Sequence, residues 1–191
     1  MLKNLFISKV RIELLEQFLF NPAEEYHVRG LVRIIDEEIN AIRRELLNLK
    51  AAGLLKVENK GNKVVYTLNP KCPVLPELRS MMYKDSEFGQ NLYRIGTKIV
   101  NAELIILTHS YLNNKYESNI DVDVLFVGDI DIRKLTPEMK EIEKTLEKEI
   151  RYSVVTMKDF EFAKKKREPF LINILEKDKI VLLGSEKALA V

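Results

Sequence analysis

The chain has 191 residues, of which 46% are hydrophobic and 31% charged, and its formal net charge is +2. This composition predicts one or two small folded domains and excludes wholesale disorder. The single cysteine, Cys72, excludes an internal disulfide and a cysteine-based zinc site, which favours a reducing, cytoplasmic location. The apolar runs are far shorter than the roughly 20 residues of a membrane helix, so no membrane contact is expected.

Residues 1–70 begin with the pattern of three helices. Ser8 is expected to cap the first helix, which the Asn21-Pro22 pair ends. Helical spacing of apolar residues predicts a second helix over Val28–Ile35. Asp36 is expected to cap a third helix, which ends before Gly53.

A β-hairpin is predicted directly after these helices. Its strands, Leu54–Glu58 and Lys63–Leu68, flank a turn cluster over residues 59–62. Three helices followed by a two-stranded ribbon are typical of a winged helix-turn-helix domain. The first 80 residues carry a net charge of +3 and the remainder −1, which permits contact with nucleic acid without requiring it.

Six polar side chains of this first domain are predicted to contact double-stranded DNA. Arginine pairs with guanine edges or phosphates through two hydrogen bonds, and a hairpin tip meets phosphates or the minor groove. Three residues lie on the outer face of the third helix and three at the hairpin tip: Asn40, Arg43, Arg44, Lys60, Asn62 and Lys63. The acidic run over residues 36–38 keeps open an alternative, a protein-binding module that has lost DNA binding.

The stretch over residues 26–55 resembles arsenic-repressor-like winged-helix regulators. In that family the recognition helix ends in a leucine, two further residues and alanine-glycine-leucine, a phrase that here runs from Leu49 to Leu54. The resemblance implies a transcriptional regulator that binds specific DNA sequences. Proteins of this kind usually read two half-sites, which implies a homodimer.

Residues 71–100 are predicted to form a proline-containing helical connector. Prolines stand at positions 70, 73 and 76, and helical segments are expected over Leu78–Met82 and near Asn91–Val100. Four apolar side chains are expected to be available to a second copy of the chain: Leu75, Leu78, Met81 and Met82.

Residues 101–191 alternate strands with helices and predict a small mixed sheet with flanking helices. Four strands are expected: Leu104–Thr108, Val122–Val127, Tyr152–Met157 and Ile180–Leu183. The first two are apolar enough to be covered on both faces. Pro137 is expected to begin a charged helix that runs to about Ile150, and Asp159 to cap a further helix. The complete chain is therefore assigned to a two-domain class with α+β or α/β character.

Between the first two of these strands, a serine precedes two closely spaced aspartates. Ser110 lies eleven positions before Asp121, and Asp123 follows two residues later. Aspartates at positions i and i+2 of a strand point to the same face, where two carboxylates are able to share divalent metal ions.

This pattern resembles the core motif of small, minimal nucleotidyltransferases. The resemblance implies a nucleotidyltransferase fold with a nucleotide subsite at His109, Ser110, Asp121 and Asp123, and with Asp121 and Asp123 as ligands of Mg²⁺. The chain departs from the family at two places. His109 replaces a glycine that lets backbone approach phosphate, and residues 151–157 lack the third carboxylate.

The sequence therefore predicts a DNA-binding transcriptional regulator whose second domain retains the fold but not the reaction. That domain is expected to sense a nucleotide, to bind a protein effector or to form the dimer surface, with at most weak binding of Mg²⁺ and nucleotide. The alternative is a metal-dependent nucleotidyltransferase, acting on a protein or small molecule and targeted by a winged helix. The third carboxylate discriminates between the two hypotheses.

Overall fold

The computed structural model describes residues 2–190 and consists of two compact units. The boundary falls between Asp85 and Ser86, so the predicted connector of residues 71–100 is divided between the units. Each unit combines helices with one small β-sheet, which gives the chain a mixed α and β fold. Within the described residues, no helix combines the length and apolar character needed to cross a membrane.

The first unit contains five helices and a two-stranded antiparallel sheet. Its elements are α1 (Leu2–Leu5), α2 (Lys9–Phe20), α3 (Val28–Ile35), α4 (Ile39–Ala51), β1 (Leu55–Lys60), β2 (Lys63–Leu68) and α5 (Leu75–Asp85). Helix α2 contacts α3, α4 and α5, and its buried face supplies Leu14, Leu15 and Phe18 to the core of the unit.

The helix signals of the first unit are confirmed except at Asp36. The Ser8 side chain accepts a hydrogen bond from the backbone N–H of Arg11 and caps α2, and α3 spans the predicted residues. Asp36 does not cap α4. It ends α3 with a left-handed backbone (φ 56°), and the residue before α4 is Glu38, whose side chain makes no capping bond. Only three residues, 36–38, separate the two helices, and Asp36 makes the turn with a left-handed backbone, a conformation that aspartate tolerates.

The hairpin is longer and its turn tighter than the sequence predicts. Lys60 pairs with Lys63 across the ladder, so only Gly61 and Asn62 form the loop. Gly61 has a positive φ of 59°, which two-residue hairpin turns of type II′ require at this position. The predicted turn is therefore too long by two residues, Asn59 and Lys60, both of which belong to β1, whereas β2 spans the predicted residues.

The second unit contains five α-helices, a 3₁₀ turn and a four-stranded sheet. Its elements are α6 (Glu87–Lys98), β3 (Leu104–Leu107), α7 (His109–Asn113), β4 (Val124–Val127), α8 (Ile132–Leu146), β5 (Tyr152–Val155), α9 (Met157–Lys166), α10 (Pro169–Glu176), β6 (Ile180–Leu183) and the 3₁₀ turn (Glu186–Leu189).

The four strands form a mixed sheet in the order β5-β4-β3-β6. Strand β3 is antiparallel to both β4 and β6, and β4 is parallel to β5. Every residue of β3 and β4 is buried, which confirms that both faces are covered. Leu104 and Ile106 pack with α9 and α10 on one face. On the other, Gly96 of α6 lies against the side chains of Ile105 and Leu183, where a Cβ atom would collide.

Two predicted helix starts of the second unit are wrong. Helix α8 begins after Asp131, whose carboxylate accepts a hydrogen bond from the Arg133 N–H, so Pro137 lies inside the helix. Helix α9 is capped by Thr156, which bonds the backbone N–H of Asp159, while the Thr156 hydroxyl donates to the Asp159 carboxylate. Asp159 is therefore the third residue of the first turn, which resembles a capping box. A separate helix, α10, follows where one helix was expected.

Candidate nucleic-acid interface and the aspartate loop of the second unit

Helix α4 turns a row of four side chains to solvent, three of them polar and one aliphatic. Asn40, Arg43, Arg44 and Leu47 are all exposed and follow one another at spacings of three and four residues. The opposite face contributes Ile42, Glu45, Leu46 and Leu49 to the interior. The helix is thereby held by its apolar face, and the outward row is available to a ligand.

The two arginines of this row are free of intramolecular partners. Neither Arg43 nor Arg44 forms an ion pair or a hydrogen bond through its side chain with any described residue. A guanidinium presents five N–H donors in a planar fork that matches a guanine edge or a phosphate. The surface therefore carries two unneutralised cations at its centre.

The two predicted lysines of the hairpin differ in whether an acidic side chain neutralises them. Lys60 Nζ lies 2.5 Å from Glu25 Oε1, and this hydrogen bond raises the pKa of Lys60. Lys63, directly opposite on the ladder, is exposed and has no ion-pair partner among residues 2–190. Asn62 is exposed in the loop. Of the two lysines, only Lys63 offers its charge without first giving up an intramolecular partner.

The acidic turn before α4 is partly neutralised. Lys9 Nζ lies 2.8 Å from Glu37 Oε1, and hydrogen bonds to Glu37 and Glu13 raise the pKa of Lys9. Asp36 and Glu38 are exposed. Two negative charges therefore remain at the beginning of α4, next to the positively charged row.

A buried carboxylate fixes the inner face of α4. Glu45 is 4% exposed, and its Oε2 accepts hydrogen bonds from Arg11 Nε at 2.8 Å and from Asn48 Nδ2 at 3.3 Å. Burial raises the pKa of Glu45, but hydrogen bonds from Arg11, Asn48 and Ser8 together with the charge of Arg11 outweigh it, and the net pKa is lowered. The ion pair ties α4 to α2 and so positions the outward row.

In the second unit, three of the four predicted nucleotide-site residues line one small pocket. His109, Ser110 and Asp121 lie beside Asn173 of α10 and Lys177, which follows that helix. The pocket encloses about 10 Å³, the space of a single water molecule, so it has no room for a nucleotide in this conformation. Asp123, the fourth predicted residue, does not line it.

The two aspartates hold the loop that precedes them. Asp121 Oδ2 accepts hydrogen bonds from the backbone N–H groups of Glu117 and Ser118, at 2.7 and 2.9 Å. Asp123 Oδ2 accepts from the Tyr116 hydroxyl at 2.7 Å and from the Arg151 N–H at 2.9 Å. Both carboxylates therefore bind the same three-residue segment, 116–118, and both lie before the first residue of β4.

Tyr116 is the side chain through which Asp123 acts on the loop. Burial raises the pKa of Tyr116 to about 12, and the hydrogen bond to the Asp123 carboxylate and its charge add to the effect. The Arg151 guanidinium lies 4.2 Å from the centre of the Tyr116 ring and lowers the same pKa. The neutral phenol is therefore the form that the loop requires.

Three of the four carboxylate oxygens of Asp121 and Asp123 already accept hydrogen bonds. Asp123 is fully buried, and its Oδ1 is without a hydrogen-bond partner, so this oxygen is one candidate ligand. Within residues 2–190, however, no group of three or more His, Cys, Asp or Glu side chains is arranged to hold a metal. The other carboxylate oxygens at this place already accept hydrogen bonds, Asp121 Oδ1 from Asn173 Nδ2 at 3.4 Å.

The sequence did not predict several residues of the DNA-facing surface and of the aspartate loop. It also predicted an exposed apolar surface on the connector that the structure shows to be largely buried. Asn173 is the one polar residue before the last position, Glu176, of the otherwise apolar helix α10, and this contrast was the available signal. Nothing in the sequence indicates that Tyr116 reaches Asp123 or that Glu25 reaches Lys60. Of the connector residues predicted to meet a partner, Met82 is 1% exposed, and Leu75, Leu78 and Met81 pack on the core of the first unit.

No protein-family model matches the chain, and no curated protein matches it. Among solved structures, the chain is similar to reduced HlyU from Vibrio cholerae N16961 at 22% sequence identity. The similar region covers 42% of this chain and 77% of that chain, with a TM-score of 0.33. A similarity of this size carries no functional argument, so a function has to follow from this chain's own residues.

Proposed function

We propose that the protein is a DNA-binding transcriptional regulator whose first unit is a winged-helix domain. The observation that carries the proposal is the outward row of α4, in which Arg43 and Arg44 are exposed and unpaired. The order of the elements supports it, since α3, a short turn and α4 follow one another as in a helix-turn-helix, and the hairpin β1–β2 follows where a wing is expected. In this arrangement α4 enters the major groove and Lys63 meets phosphate.

The test is a titration of the full chain with duplex DNA. A random duplex library selects preferred sequences, and fluorescence anisotropy then measures their affinity at several salt concentrations. We expect selective binding. The logarithm of its association constant should fall linearly with the logarithm of the salt concentration, because each phosphate contact releases counterions. A chain that selects no sequence and shows no salt-sensitive binding at low ionic strength contradicts the proposal.

We propose further that the regulator acts as a homodimer, because two half-sites double the contacts that a single small domain makes. Light scattering at tens of micromolar is the measurement. A species of about twice the chain mass of 22.2 kDa is expected. A monomer at that concentration, both free and on a selected duplex, counts against this part of the proposal.

We propose that the second unit is a nucleotidyltransferase-like domain without nucleotidyl transfer. The proposal is supported by the use of Asp121 and Asp123 in binding segment 116–118 and by the water-sized pocket beside Ser110. The assay combines labelled nucleoside triphosphates, Mg²⁺ or Mn²⁺ and cell lysate as a source of acceptors. Transfer of label that is lost in Asp121→Asn protein would establish the enzyme instead.

A further inference from the structure

The C-terminal end of the outward row on α4 is occupied by an aliphatic side chain. Leu47 is 59% exposed, although the residues that this helix buries are Ile42, Glu45, Leu46 and Leu49. It lies three residues after Arg44 and four after Arg43, so it shares their face of the helix. Leu47 is not among the residues that form the core of the first unit or pack against it. Its side chain is therefore available to a ligand.

The surroundings of Leu47 indicate what kind of ligand accepts it. Of the four residues one turn away from it on α4, three are exposed cations, Arg43, Arg44 and Lys50, and the fourth is the exposed Ala51, whose side chain is a single methyl group. A protein partner needs a continuous apolar patch, which a leucine and an alanine beside three cations do not provide. The major groove of DNA offers phosphates at its rim and, at its floor, a single apolar group, the C5 methyl of thymine.

We propose that Leu47 is a specificity-determining residue that contacts a thymine methyl group in the major groove; this inference rests on the proposed function. Side chains three or four residues apart on a helix are separated by roughly 5–6 Å, and successive bases of one strand by about 3.4 Å. The thymine that Leu47 contacts therefore lies within two base pairs of the guanine that Arg43 or Arg44 contacts.

The experiment removes the methyl group without changing any hydrogen bond. On a duplex selected by the full chain, each thymine is replaced in turn by deoxyuridine, and anisotropy measures the dissociation constant. The proteins are the unchanged chain, Leu47→Ala and Ile34→Ala, the last being a matched control because Ile34 is 54% exposed and lies on α3. Circular dichroism confirms that both variants remain folded, as expected for exposed positions.

We expect one thymine, within two base pairs of an essential guanine, whose replacement weakens binding by the unchanged chain about fourfold, the value for one buried methyl-sized group. Leu47→Ala should bind the thymine duplex more weakly by a similar factor and be indifferent to the replacement, whereas Ile34→Ala should respond like the unchanged chain. Two results overturn the inference while leaving DNA binding intact. In one, no replacement by deoxyuridine changes the dissociation constant of the unchanged chain. In the other, the replacement weakens binding by Leu47→Ala as much as binding by the unchanged chain. If no duplex is selected at all, the proposed function itself fails.

Discussion

The two units use their charged side chains in opposite ways. On α4 of the first unit, Arg43 and Arg44 are exposed and unpaired. In the second unit, Asp121 and Asp123 are buried, and each accepts two hydrogen bonds at its Oδ2 from groups of the same protein. A motif thus indicates chemistry only while its polar atoms are available, because a hydrogen bond already made must be broken before a ligand forms one.

The largest effect is expected at the unpaired cations. The double change Arg43→Ala and Arg44→Ala should weaken the binding free energy by roughly 1–3 kcal/mol for each base that an arginine recognises. The free energy of unfolding should stay within about 0.5 kcal/mol, because both side chains are exposed. Anisotropy and urea unfolding measure the two quantities. If the double variant binds DNA as tightly as the unchanged chain, α4 is not part of the interface, and the availability of its arginines has no functional meaning.

The converse change removes a buried carboxylate from the second unit. Asp123→Asn should lower the free energy of unfolding by about 1–3 kcal/mol, because a neutral amide oxygen accepts the bonds from the Tyr116 hydroxyl and the Arg151 N–H less strongly than the carboxylate oxygen does. Urea unfolding followed by circular dichroism is the measurement. A matched Asp129→Asn variant, at an exposed position, should change little. Unaltered or increased stability of Asp123→Asn would show that the loop does not need this charge.

Glu45 is a buried carboxylate of the first unit, and it tests whether a hydrogen-bonded charge stabilises that unit as well. Glu45→Gln should cost about 1–2 kcal/mol at neutral pH, because the charge-assisted bond from Arg11 is lost. The pKa of Glu45 is lowered in the folded state, so its contribution is present above the unfolded value of 4.5 and is lost as the pH falls through the lower folded value. The difference between the two proteins in urea unfolding should shrink at strongly acidic pH. A difference independent of pH would contradict this account.

Tyr116 reports on the loop by its titration. Its phenol should ionise at about pH 12, and Tyr116→Phe should remove that step from the absorbance titration. Because the folded pKa is raised, the stability it contributes is complete below the ordinary value of 10.0 and is lost as the pH rises through about 12. A Tyr116 that titrates at its ordinary pKa would show that the bond to Asp123 is not maintained in solution.

The smallest effect separates the two lysines of the hairpin. Lys63→Ala should make the slope of the logarithm of the association constant against the logarithm of the salt concentration shallower by about one unit. Lys60→Ala should reduce it less, because the charge of Lys60 is already opposed by Glu25. Glu25→Gln releases Lys60 and should strengthen binding slightly. Equal slopes for the two lysine variants would show that the pair with Glu25 does not persist when DNA is bound.

Local pattern was sufficient for most of the elements. Helix α3 and strand β6 begin and end at the predicted residues, because helical periodicity and a short apolar run before Gly184 are properties of neighbouring residues. The errors fall at element ends, where two side chains compete for one role. Thr156 rather than Asp159 caps α9, and Pro137 lies within α8, because an earlier cap at Asp131 had already started the helix.

What the sequence determined by itself is therefore the succession of helices and strands and the exposure of Arg43 and Arg44, since the period of α4 sets which residues face outward. The tertiary structure decided which polar groups remain available. Glu25 meets Lys60 from 35 positions away, and Arg151 meets Asp123 from 28 positions away. Such partners come together only when the chain packs, because hydrogen bonds act over about 3 Å and carry no signal along the sequence.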